Sequence, residues 1–250
     1  MPSLLQSPQP ARRRSNSSLD FSFYSFFFDP IGPGEPRVRI ALWLGGNKGH
    51  PYKKVIPFLK AIAGTIPGAR VAMFPFKKML TGNMIWFFDC VVTYTQGGEF
   101  LPGEEDLLLD FVASGKGFVG IHGATASFKA YPRYQEMLGG KFTGHALQRK
   151  FEARAVGGEH SITSGIEPFT IKDEPYEHEL DTEKIHVLVE RTDKKGTAPA
   201  AWIKEHGLGR VAYIAFGHFA GNFKNQAFQE LIRRAISWAS PQRSQGKLAS

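Results

Sequence analysis

The feature that most constrains the fold of this chain is an alternation. Short apolar runs of strand length, ended by glycine or polar loops, take turns with segments whose apolar residues recur at helical spacing. Val38-Arg39-Ile40-Ala41-Leu42-Trp43-Leu44, closed by Gly45-Gly46, has the continuous apolarity of a strand buried on both faces. Between Pro51 and Ala63, residues Val55, Phe58, Leu59 and Ile62 fall on one helical face. Arg70 to Phe74 reads as a second strand, and Asp89 to Tyr94 as a third that runs into Gln96-Gly97-Gly98. The next helix opens with Pro102 and carries Glu104, Glu105 and Asp106 in its first turn, where the peptide dipoles favour anions. It is expected to bury Leu107, Leu108, Phe111 and Val112 and to stop at Gly115. Gly117 to His122 is the fourth strand. Strand–helix alternation of this kind implies right-handed crossovers and a parallel sheet with helices on both faces.

The second half is richer in strands. Phe151–Val156, Phe169–Lys172, His186–Glu190, Ala200–Lys204 and Val211–Phe216 all carry the pattern, the last two joined by a hairpin loop over 205–209. Asn225 is placed to cap a final helix that buries Phe228, Leu231, Ile232, Ala235 and Ile236. One α/β domain over residues 37–240 is expected, with a disordered or loosely docked tail over 1–36 and a short C-terminal tail over 241–250.

A single cysteine, Cys90, among 250 residues excludes an internal disulfide framework and a cysteine zinc cluster, and it suits a reducing cytoplasm. Lying within a strand, it reads as a small buried apolar residue. No stretch approaches the ~20 apolar residues that span a bilayer. The net charge of +8 is dispersed, with no lysine or arginine run longer than two in the domain, so it carries no nucleic-acid reading. The aromatic run Phe21–Phe28 is too short for a span, and reads as a patch that docks on the domain or a partner.

The residues with chemistry gather where strands end. In an open parallel sheet, ligands sit beyond the carboxyl ends of the strands. His50 closes the loop after the first strand, Gln96 and Glu99 follow the third, and His122 and Thr125 follow the fourth. His218 and Asn222 follow the last long strand, while His145 and the loop Asp173-Glu174-Pro175-Tyr176-Glu177-His178 add further donors. Gly45-Gly46 has neither dinucleotide nor P-loop spacing. Trp43, Tyr94 and Phe128 offer flat apolar faces to a sugar ring.

Two longer blocks bear a resemblance. Gly115-Lys116-Gly117-Phe118-Val119-Gly120-Ile121-His122-Gly123-Ala124-Thr125-Ala126-Ser127-Phe128 and Tyr134-Gln135-Glu136-Met137-Leu138-Gly139-Gly140-Lys141-Phe142-Thr143-Gly144-His145 resemble the signature of the trehalose-utilisation (ThuA-like) family. Asp173-Glu174-Pro175-Tyr176, Gly209-Arg210-Val211 and Gly217-His218 follow in the same order. The resemblance implies a flavodoxin-like three-layer α/β sandwich with a mostly parallel central sheet, as in class I glutamine amidotransferases, and a role in carbohydrate metabolism. Glutamine hydrolysis is not expected, because His122 stands where the nucleophilic cysteine of that fold would be and Ala220 where its acid would be.

These readings combine into an enzyme acting on a sugar or keto-sugar, with His122 and His218 as general acid and base and Glu174 as their carboxylate partner. His50, Gln96, Thr125, His145, Asp173, Tyr176 and Asn222 are expected to bind substrate. A metal-assisted version has a divalent ion such as zinc on His122, His145 and His218 together with Glu174, suited to hydrolysis or enolisation. The alternative is a non-catalytic carbohydrate or metabolite-binding module. The partner implied is a small carbohydrate, with no nucleic acid and no membrane span, and with room for self-association into a homo-oligomer.

Overall fold

The computed structural model describes residues 38–45, 50–75 and 80–241. The expectations for residues 1–36, including the Phe21–Phe28 patch, and for the C-terminal tail beyond 241 lie outside the described residues. Strands β1 (Val38–Leu44), β2 (Ala69–Pro75), β3 (Cys90–Tyr94) and β4 (Gly117–Ile121) alternate with helices α1 (Tyr52–Gly64) and α2 (Glu104–Ala113) as expected. Helix α2 buries Leu109 rather than Leu107 beside Leu108, Phe111 and Val112. Next come helix α3 (Pro132–Leu138) and strands β5 (Gly140–His145), β6 (Arg149–Ala155), β7 (Phe169–Asp173) and β8 (Tyr176–Leu180). Strands β9 (His186–Asp193), β10 (Gly196–His206) and β11 (Gly209–Ile214) lead to helix α4 (Gln226–Ala239).

The main sheet has nine strands in the order β2-β1-β3-β4-β11-β10-β9-β6-β7. Pairs β2–β1, β1–β3, β3–β4 and β4–β11 are parallel. The remaining pairs, through β10, β9, β6 and β7, are antiparallel. The fold is therefore mixed α/β, and the expectation of a mostly parallel sheet holds only for its first half. The reason is local: β10 returns on β11 through the two-residue turn Gly207-Leu208, with no helix available for a crossover. Burial follows the pairing. Strands β3 and β4 are buried along their whole length, as a sheet covered on both faces requires, whereas β6 alternates buried and exposed residues.

Helices α1 and α4 pack on each other and on the parallel strands, and α2 packs with α3. The Asn225 side chain caps α4, accepting the Phe228 N–H at 3.1 Å. Cys90 is fully buried, and burial pushes its thiol pKa up to about 12. Strands β5 and β8 form a separate antiparallel pair lying against the 3-10 turn His122–Ala126. The sequence expectation of a loop over 173–178 is thus corrected, since Asp173 ends β7 and Tyr176 begins β8. The small sheet is what brings Glu174 over the carboxyl ends of the parallel strands.

Candidate functional site

At the carboxyl end of β4 the chain turns sharply, and His122 adopts φ 48°, a left-handed conformation rare for a residue with a side chain. Gly123 next to it could not be any other residue, because a Cβ there would lie 2.4 Å from the Thr95 carbonyl oxygen. Three hydroxyls donate to carbonyls here: Tyr213 to that of His122 at 2.7 Å, Ser127 to that of Gly123 and Tyr134 to that of Ala124. The His122 imidazole is completely buried, and its Nδ1–H donates to the Ala215 carbonyl at 2.8 Å. That bond fixes the tautomer of the neutral ring and leaves the Nε2 lone pair facing the site.

Nε2 of His122 faces Glu174 Oε2 at 3.5 Å, and Nδ1 of His218 approaches the same oxygen at 3.1 Å. His50 completes the group: one ligand atom from each of His50, His122, Glu174 and His218 lies within 4.8 Å of the others. His50 Nδ1, His122 Nε2 and His218 Nδ1 are all buried, and the Glu174 carboxylate is the group that the last two face. Three imidazole nitrogens turned toward one carboxylate is the donor set of a divalent cation, nitrogen-rich with one oxygen. The group can hold a metal ion. Its membership differs from the set expected on the sequence, with His50 in place of His145. His145 ends β5 with its side chain 39% exposed, and its Nε2 stands 3.8 Å from the other Glu174 oxygen.

The surroundings orient the group. Tyr176 is buried against His122, ring centroids 4.2 Å apart, and its hydroxyl meets His50 Nε2 at 3.4 Å, so that Nδ1 is the free nitrogen. Gln148 lies 3.4 Å from Glu174 Oε1 and 3.3 Å from His218 Nε2. Nothing in its neighbourhood of the sequence singles it out. Asp173 is fully buried and accepts four N–H groups, from Gly217, His218, Glu174 and Asn222.

The other expected contacts are placed as follows. Asn222 spends its amide on Asp173 and the Lys172 carbonyl. Thr125 is fully buried, bonded to Tyr213 at 2.9 Å and His178 at 3.1 Å. The Gln96 amide oxygen is buried beside the His122 turn, with its side chain near enough to His50 to influence that ring. Trp43, Tyr94 and Phe128 are not free platforms: all are buried, and Phe128 is stacked between Phe100 and Trp43 at centroid distances of 3.8 and 5.4 Å.

Electrostatics follow the geometry. Burial is the largest influence on Glu174 and would raise its pKa, but hydrogen bonding and charge from His122 and His218 overcome it and hold the carboxyl well below its usual range. The bond to Glu174 raises the His218 pKa. Burial, helped by the neighbouring His122 and His218, lowers that of His50 to about 4. His50 is therefore neutral at neutral pH, the protonation state a metal ligand needs.

Comparison with known proteins adds the following. The profile of the ThuA family, described as trehalose utilisation, matches residues 39–239. A ThuA-like protein from Parabacteroides merdae is 18% identical with a TM-score of 0.72, the match covering 82% of this chain and 90% of that one. A ThuA-like protein from Bacteroides uniformis is 17% identical with a TM-score of 0.67, covering 85% and 95%. A cytoplasmic protein of Salmonella typhimurium LT2 is 15% identical with a TM-score of 0.63, covering 81% and 99%. At these identities the likeness is one of fold. The curated proteins include no match to the chain. No helix among the described residues is long and apolar enough to cross a membrane.

Proposed function

The chain belongs to the ThuA, trehalose utilisation, family, and on that premise we propose that it is a metal-dependent enzyme acting on a sugar or keto-sugar. The family points to carbohydrate metabolism. The observation that carries the metal is the convergence of three buried imidazole nitrogens on the Glu174 carboxylate. His50, His122, Glu174 and His218 would hold the ion, and the nitrogen-rich set suits zinc. A bound divalent ion supplies Lewis acidity toward a carbonyl or a water, which serves hydrolysis or enolisation beside a carbonyl. His145, at the exposed edge of the group, would move a proton to or from a bound sugar. Gln96, half-buried beside His50, would turn its amide to a sugar hydroxyl.

A second reading rests on the His218–Glu174 pair at 3.1 Å and the raised His218 pKa. In it His218 is a protonated general acid and His122 a base, with no metal. Elemental analysis, followed by turnover of disaccharides and their keto derivatives with and without chelator, separates the two. The proposal expects about one divalent ion per chain, lost in Glu174→Gln, and turnover abolished by chelation. Turnover that persists in metal-free protein would replace it by the acid/base reading, and stoichiometric binding of sugar without turnover by the binding module.

A further inference from the structure

Behind the His122 turn lies a chain of polar groups whose protons can be assigned one by one. The His122 carbonyl can only accept, so the Tyr213 hydroxyl, 2.7 Å away, donates to it. That spends the only tyrosine proton, so Thr125 Oγ1, 2.9 Å from Tyr213, donates to the tyrosine oxygen. Thr125 in turn accepts from Nε2–H of His178 at 3.1 Å, and the same nitrogen lies 3.3 Å from Tyr213. Tyr213 and Thr125 have essentially no exposure, and His178 is walled by Trp202 with ring centroids 5.0 Å apart. Three elements are tied in this way to one backbone atom of a residue at φ 48°. The chain ends on that carbonyl and not on the imidazole, so it passes no proton into the site.

We infer that Tyr213, ordered by Thr125 and His178, is the positioning residue for His122. It holds the strained turn so that Nδ1–H meets the Ala215 carbonyl and Nε2 points at Glu174. This rests on the reading of His50, His122, Glu174 and His218 as a metal site for its effect on affinity, but not for its effect on the ring. Tyr134 provides the control, because its hydroxyl is also buried and donates to the same turn, two residues further on at the Ala124 carbonyl.

The test uses the full-length protein, its Tyr213→Phe and Tyr134→Phe variants, and zinc as the probe. Tyr213→Phe should raise the zinc Kd about 10–100-fold, the usual effect of losing a group that orients a ligand, with Tyr134→Phe within about twofold of the parent. Independently of metal, histidine-selective NMR of the parent should show a protected His122 Nδ1–H resonance, assigned by its absence in His122→Gln. That resonance should be lost or broadened in Tyr213→Phe and kept in Tyr134→Phe. A parent that binds no zinc but loses the resonance in Tyr213→Phe would sink the metal reading and leave the positioning role standing. An unchanged resonance in Tyr213→Phe, or equal effects of the two variants on ring and affinity, would overturn the inference.

Discussion

Asp173 carries the backbone of His218. Its Oδ1 accepts the His218 N–H at 3.1 Å while Oδ2 accepts that of Gly217 at 2.6 Å, and Tyr94 closes the other side by donating to the Gly217 carbonyl at 2.9 Å. The aspartate is thus a buried clamp on the loop that bears His218. Asp173→Asn puts an N–H₂ where two backbone N–H groups need an acceptor. It should destabilise the fold by about 3 kcal/mol in urea denaturation and weaken metal binding through His218. A variant with parental stability would show that the loop does not depend on this carboxylate.

The turn after β4 permits no side chain at residue 123. Gly123→Ala should cost about 2–3 kcal/mol or prevent soluble accumulation, because the new Cβ would meet the Thr95 carbonyl at 2.4 Å. Gly144→Ala, in β5 with nothing within 4 Å of its added Cβ, should stay within about 0.5 kcal/mol of the parent. Thermal denaturation of the two side by side checks the contrast.

Much of this was legible in the sequence, and the exceptions have physical causes. The parallel half declared itself because β3, β4 and β1 from Ile40 onward are buried and read as largely apolar runs. The same rule of ligands beyond strand ends brought His50, His122 and His218 to one rim. The antiparallel half was visible as strands but not as pairings, since one-sided strands such as β6 pair in either direction. Strand β8 was hidden by Pro175 and by its charged residues, Glu177 and Glu179. Nor could spacing choose between His50 and His145 as the third imidazole, a choice made by β5 and β8 meeting at the His145–Tyr176 register. Thr125 and Asn222 illustrate a further limit: a polar residue beside a site is written the same way whether it faces a ligand or the backbone.

Acid should destabilise the metal-free protein through His178. Burial, reinforced by the nearby Arg191 and His122, pushes its pKa down to about 3 from an ordinary 6.5. Between those values the unfolded chain binds a proton that the folded chain does not, so stability rises with pH across that window. The contribution is complete above pH 6.5 and is lost progressively as the pH falls toward 3. Thermal midpoints recorded with chelator from pH 7 to 4 should fall, and His178→Gln should flatten the slope. An equally steep profile in that variant would assign the acid sensitivity elsewhere.

His145 should separate binding from chemistry. Its imidazole borders Glu174 but lies outside the four-residue group. His145→Ala is expected to keep the metal content of the parent and to lower kcat by about 10²–10⁴-fold, the range for loss of a general acid or base. Loss of metal in this variant would place His145 among the ligands.

The most direct test of the central claim is X-ray absorption at the zinc edge on protein loaded with one equivalent, compared with Glu174→Gln. The account predicts three imidazole nitrogens at about 2.0–2.1 Å with one oxygen from the protein, a pattern lost in the variant. A spectrum of oxygen ligands alone, or one unchanged in Glu174→Gln, would show that His50, His122, Glu174 and His218 are not a metal site.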